Sequence, residues 1–208
     1  MRLVIALLPG LLIGLALAGC DRQKAADPQG NAPSAAGAPT APGKAAAPAG
    51  APGHPPYPTG RLDRSHAGTA APDTAFEDGD GRPVRLSAFR GRPLLVNLWA
   101  TWCGPCVVEM PSLDALAQRQ GEAIKVLTIS QDADDGRRKV ADFFAARNFQ
   151  RLEPYLDSRM DLMMGLRLDT LPTTILYDAQ GREVWRMTGM ADWGGERAAR
   201  LLREADRG

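Results

Sequence analysis

Large apolar side chains fall into two regimes along this chain. After an apolar start they are almost absent up to Tyr57 and Leu62, and from about Pro72 they recur in patterned clusters. The densest cluster is Leu94-Leu95-Val96-Asn97-Leu98-Trp99, whose near-continuity predicts a central strand covered on both faces. Residues 104–119 carry Val107, Met110, Leu113, Leu116 and Ala117 at helical spacing and predict a helix, with Pro111 expected to kink it. Residues 124–129 predict a second buried strand, 137–147 a second helix with Val140, Phe143 and Phe144, and 151–157 a short extended piece. A short helix is expected over 160–168. Strands are expected over 173–177 and 183–187, flanking the hairpin signal Asp178-Ala179-Gln180-Gly181, with a last amphipathic helix over 195–203. Upstream, Phe76 and Val84-Arg85-Leu86 around Gly79-Asp80-Gly81 predict an N-terminal hairpin. Strands alternating with helices imply an α/β domain, a central sheet with helices on both faces.

The first 70 residues follow other rules. Arg2 precedes apolar stretches at 3–8 and 11–18, broken by Pro9 and Gly10, which is the layout of a secretory signal and too short for a spanning helix. Leu17-Ala18-Gly19-Cys20 looks like a bacterial lipobox, so residues 1–19 are expected to be a cleaved signal peptide and Cys20 a lipidated N-terminus. An ordinary cleaved signal, or an uncleaved anchor with an incidental cysteine, is the alternative. Small residues abutting a cysteine at the end of the apolar run favour the lipobox. Asp21 resembles an inner-membrane retention signal, which places the expected location at the periplasmic side of the inner membrane. From Asp21 to about Ala70 the chain is rich in Ala, Pro and Gly, as in Pro33-Ser34-Ala35-Ala36-Gly37-Ala38-Pro39. It lacks the apolar content to offset its ordering entropy and is expected to be a flexible tether over 20–70. Such a tether spans about 40 Å as a coil and about 150 Å if extended. His54 and His66 fall in or beside it and are expected to be solvent-exposed.

Charge changes the picture by exclusion. The 208 residues carry 25 basic and 24 acidic side chains, so no basic excess argues for nucleic acid. Three cysteines, Cys20, Cys103 and Cys106, make an odd count for a disulfide-stapled secreted domain, and lipidation of Cys20 accounts for the odd one.

The other two sit in Trp102-Cys103-Gly104-Pro105-Cys106, where the predicted central strand hands over to a helix. A thiolate is the attacking species in disulfide exchange, and a helix N-terminus stabilises it through unpaired N–H groups and the helix dipole. Pro105 suits the first turn, and Cys106 follows one turn on along the same face. Cys103 is then the nucleophile and Cys106 the resolving thiol. A structural disulfide this short would constrain little of the unfolded chain. A zinc site needs about four ligands and finds no second cysteine pair, and haem attachment would need a histidine where Val107 stands.

Asn97-Leu98-Trp99-Ala100-Thr101-Trp102-Cys103-Gly104-Pro105-Cys106 resembles the active site of thioredoxin-fold proteins. With Ala71-Pro72, Gly91-Arg92-Pro93 and Glu109-Met110-Pro111 the chain is similar to the TlpA/ResA/CcmG branch over roughly residues 71–204, and the domain is expected over 71–206. The resemblance implies a thioredoxin-like fold, a central mixed β-sheet with helices on both faces and an N-terminal β-hairpin extension. It also implies a membrane-tethered dithiol, and a cis proline beside the cysteines, matched by Leu171-Pro172-Thr173. Leu171 and Pro172, with Trp102 covering Cys103, would then form the substrate-binding surface. Where thioredoxins carry a buried aspartate this chain has Asn97, and the resemblance gives Glu109 the role of tuning or relaying protons for the pair. Trp99 is expected in the core, as are Met163 and Met164, and the loop holding Asp132, Asp134 and Asp135 is expected to be a solvated turn.

The expected function is reduction of client disulfides outside the cytoplasm by thiol:disulfide exchange, needing no cofactor and no metal. Its clients would be proteins with disulfides, of the cytochrome c or cytochrome oxidase maturation type, and its electrons would come from a membrane donor of the DsbD/CcdA type. The alternatives are a disulfide oxidase or isomerase using the same cysteines, and a copper-binding assembly factor. The copper proteins of this fold use wider Cys-x-x-x-Cys spacing and a distant histidine, neither of which is present.

Overall fold

A computed structural model describes residues 60–207. In chain order the strands are β1 (Arg61–Asp63), β2 (Ala75–Glu77), β3 (Pro83–Arg85), β4 (Leu94–Trp99), β5 (Lys125–Ser130), β6 (Pro154–Leu156), β7 (Thr173–Tyr177) and β8 (Glu183–Thr188). The helices are α1 (Gly104–Gln120), α2 (Gly136–Ala145), α3 (Asp161–Gly165) and α4 (Glu196–Leu202). All strands join one sheet in the order β1-β8-β7-β4-β5-β6-β2-β3. β4, β5 and β6 run parallel, and the other pairings are antiparallel, so the sheet is mixed.

All six side chains of β4 are buried, because both faces of the sheet are covered there. Leu95 and Trp99 project into a core built with α1, α2 and α4, where Met110, Leu113, Phe143 and Leu201 meet them. Leu94, Val96 and Leu98 project the other way, onto Leu127, Ile129, Tyr155 and Leu162 of α3. Each such side chain contributes roughly 2 kcal/mol by leaving water. On the first face Trp185 Nε1 also donates to the Leu201 carbonyl at 3.1 Å and ties α4 to the sheet. Pro111 lies inside α1 without ending it; its missing N–H leaves the Val107 carbonyl outside the helical ladder. Gly121, at φ 53°, closes the helix by donating to the Ala117 carbonyl.

The N-terminal boundary differs from the expected one. Residues 60–70 are not tether: β1 pairs with β8, Gly60 N–H donates to the Met190 carbonyl at 2.9 Å, and Ala70 bridges to Arg182. Backbone hydrogen bonds make this strand, and only Leu62 marks it as apolar, so hydrophobic patterning passes over it. His66 sits in the following turn, its carbonyl accepting from Thr69 N–H, and is half-buried. The rest of the expected tether (20–59), the signal (1–19) and Cys20 lie outside the described residues.

Candidate active site

The site grows from the handover of β4 to α1. Cys103 N–H donates to the Ala100 carbonyl at 3.1 Å, closing a tight turn that ends with Cys103 as the N-cap of α1. Cys103 and Cys106 form a disulfide with their Cα atoms 5.2 Å apart. Cys106 N–H points at Cys103 Sγ from 3.3 Å, so the sulfur faces the free donors of the helix end. Cys103 keeps a 6% sliver of exposure and Cys106 none. Of the two residues, only Cys103 has any exposure through which a partner disulfide could approach. Trp102, next to Cys103 in the chain, is 69% exposed and offers an apolar surface at this turn.

The Leu171–Pro172 peptide bond is cis. Thr173, the next residue, pairs with Leu98 on one side and Thr188 on the other, which sets Pro172 at the sheet end where β4 delivers the cysteines. Gly189 N–H donates to the Pro172 carbonyl at 2.8 Å and fixes the loop after β8 alongside it. Pro172 is buried, and Leu171 is half-buried against both cores.

Glu109 lies one turn beyond Cys106 on the buried face of α1 and is 2% exposed. Its Oε1 accepts from Asn97 Nδ2 at 2.7 Å. Its Oε2 accepts from Ala191 N–H at 3.0 Å and Trp193 Nε1 at 3.2 Å. Asn97 Nδ2 also donates to Thr174 Oγ1 at 3.0 Å, while its Oδ1 has no partner. Burial pushes the Glu109 carboxyl up to about 7, against the pull of the three donors. A carboxyl near 7 can hold or release a proton at neutral pH. Asn97 thus serves the acid as a donor and takes no proton itself.

Three residues of this region escape a reading of the chain. Trp193 comes from the loop before α4, and its signal is a lone tryptophan before Gly194-Gly195. Thr101 and Asp132 meet across the sheet end: the expected solvated turn fails at Asp132, which is 1% exposed and accepts from Thr101 N–H at 2.8 Å. Asp134 and Asp135 are exposed, with φ of 29° and 52°. Met164 is also corrected, being 63% exposed on α3, while Met163 packs against the core.

Comparison with protein families matches residues 66–202 to the Redoxin family. The thiol-disulfide oxidoreductase ResA of Geobacillus thermodenitrificans (strain NG80-2) is 33% identical over 126 residues, covering 59% of this chain and 69% of that protein. Among solved structures, the pneumococcal exposed lipoprotein thioredoxin Etrx1 of Streptococcus pneumoniae strain TIGR4 superposes with a TM-score of 0.55 at 25% identity, covering 64% of this chain and 99% of that one. A thioredoxin-family thiol:disulfide interchange protein from Chlorobium tepidum TLS shares the fold, with a TM-score of 0.55 at 20% identity over 66% of this chain and 95% of that one.

Proposed function

This chain belongs to the Redoxin family, and we propose that its Cys103–Cys106 pair works as a disulfide reductase held at a membrane outside the cytoplasm. It is a thiol:disulfide oxidoreductase of the ResA type. The observation that carries the proposal is the asymmetry of the pair, Cys103 slightly exposed as the cap of a helix N-terminus and Cys106 fully buried one turn on. The Cys103 thiolate attacks a client disulfide, forming a mixed disulfide and releasing one client thiolate. Glu109 takes the Cys106 proton, the Cys106 thiolate attacks Cys103 Sγ, and the second client sulfur leaves as a thiolate that is protonated from water. The two electrons end on the client, and Cys103–Cys106 is left oxidised. A membrane dithiol donor of the DsbD/CcdA type then returns the pair to its reduced form. Trp102 and Leu171 form the surface on which the client chain lies, and the buried cis Pro172 shapes it.

Gly104-Pro105 between the cysteines supports the reducing direction, because thioredoxin shares it at about −270 mV against about −120 mV for the oxidant DsbA. The clients would be apocytochromes c or copper-handling proteins of oxidase assembly. Leu17-Ala18-Gly19-Cys20 supports a lipid anchor on the periplasmic side of the inner membrane, and the pneumococcal relative is itself called a lipoprotein. Equilibration with defined thiol buffers tests the direction: a potential near about −270 mV is expected, and one near about −120 mV means an oxidase or isomerase. In a turnover assay E109Q slows reduction of a model disulfide; unchanged thiol titration and rate would remove Glu109 from the proton path.

A further inference from the structure

Four buried aspartates accept hydrogen bonds from the main chain. Asp114 takes the N–H groups of Gln150, Arg151 and Leu152, Asp157 those of Asp161 and Leu162, and Asp178 those of Gln180 and Arg182. These three fasten a loop, a helix start and a hairpin of the scaffold. The fourth, Asp132, fastens the redox turn itself. Its Oδ2 accepts from Thr101 N–H at 2.8 Å and the Ser130 hydroxyl at 2.6 Å, and its Oδ1 accepts from the Thr101 hydroxyl at 2.6 Å. Ser130 Oγ in turn accepts from Asp132 N–H at 3.0 Å. Next to it Gln131 N–H donates to the Trp99 carbonyl at 2.8 Å, so the end of β5 holds the end of β4 on both sides of Ala100. Gly136 closes over the cluster; a Cβ there would lie 3.3 Å from that of Asp132.

We propose that Asp132 is a positioning residue for disulfide exchange, holding the turn that seats Cys103 Sγ in front of the helix donors. This rests on the reading of Cys103 as the nucleophile. Thr101 is two residues before Cys103, and the turn between them is closed by a single bond, Cys103 N–H to the Ala100 carbonyl. Released from Asp132, Thr101 can rotate, the turn loosens, and the sulfur leaves the Cys106 N–H that lies 3.3 Å away. Hydrogen bonds to a charged acceptor weaken steeply with distance and angle, so a small drift removes most of the thiolate's support.

The chemistry of the side chain supplies its own control. In D132N the amide oxygen can take the place of Oδ2, and Nδ2 can donate to a Thr101 hydroxyl that has turned to accept. Asparagine keeps the geometry and removes the charge, whereas alanine removes both. T101V removes one of the three bonds and leaves the backbone bond. The test is the pH dependence of iodoacetamide alkylation in the reduced full chain, read at the Cys103 peptide by mass spectrometry, alongside turnover of a model disulfide. At neutral pH D132A is expected to alkylate about tenfold more slowly and T101V about threefold, each with its titration midpoint moved up, while D132N stays within about twofold of wild type. A T101V profile matching wild type, or a D132N as slow as D132A, overturns the proposal. Should D132A fail to fold, T101V still decides it, and a D132N more than about twofold slower than wild type overturns it. A wild-type chain with no turnover would sink the functional reading instead, independently of how the variants rank.

Discussion

Each of the three donors around Glu109 favours its ionised form, yet burial outweighs them and lifts its proton affinity to about 7. The folded value lies above the ordinary 4.5, so this residue costs the fold nothing below about pH 4.5 and progressively destabilises it as pH rises through about 7. Full ionisation amounts to on the order of 3 kcal/mol. Urea denaturation of the oxidised protein at pH 5 and pH 8 is expected to show a larger loss of stability in wild type than in E109Q, which mimics the protonated acid. Equal losses would move that titration to another group. Glu109 was legible in the chain only through the resemblance, because Glu109-Met110-Pro111 matches the acid that branch carries on its active-site helix. Its partners were not, since Asn97, Ala191 and Trp193 come from three segments that only the fold brings together. Asp132 was misread for a related reason: acids after a strand are usually solvated, and no local pattern reveals that α2 covers this one.

At the scale of elements, legibility tracked how each element is held. β4, β5, β7 and α1 are fixed by buried apolar side chains and show as runs or helical periodicity. β1 is fixed by its backbone, and its first constraint is Gly60. A Cβ there would lie 2.6 Å from the Gly189 carbonyl oxygen and 2.9 Å from that of Thr188, closer than such atoms approach. G60A must therefore push β1 away from β8, at a cost of about 2 kcal/mol by analogy with overpacked sites. Hydrogen–deuterium exchange is expected to speed up at the paired amides of β1 and leave β4 and β5 unchanged. Protection of β1 equal to wild type would mean the strand accommodates the methyl by other shifts. The hairpin of β2 and β3 was visible from its turn residues, Gly79-Asp80-Gly81, of which Gly81 holds φ 81°.

For the molecule as a whole, redox state and stability form one cycle. A strongly reducing couple is one whose disulfide is favoured in the folded protein, so the proposed reductase should melt at a higher temperature oxidised than reduced. The opposite order belongs to oxidants such as DsbA, whose reduced form is the stabilised one. Calorimetry of the two forms checks this without any client, and a reduced form that melts higher would contradict the reducing direction. The order of elements and the pair at the strand–helix junction were readable from the chain. The point where the folded domain begins was not, and that point has a mechanical meaning. Gly60 leads into β1 at the Thr188 end of β8, the end where Gly189 is fastened to Pro172 and β4 delivers Cys103. A force drawn through the N-terminal part of the chain is delivered there first. It loads the two bonds of Gly60, its N–H to the Met190 carbonyl and its carbonyl from Arg197, and would then peel β1 one residue at a time, as a zip opens, while the buried strands carry little of the load. The edge strand is thus a weak link in series with the rest, and it would yield before the redox turn is disturbed.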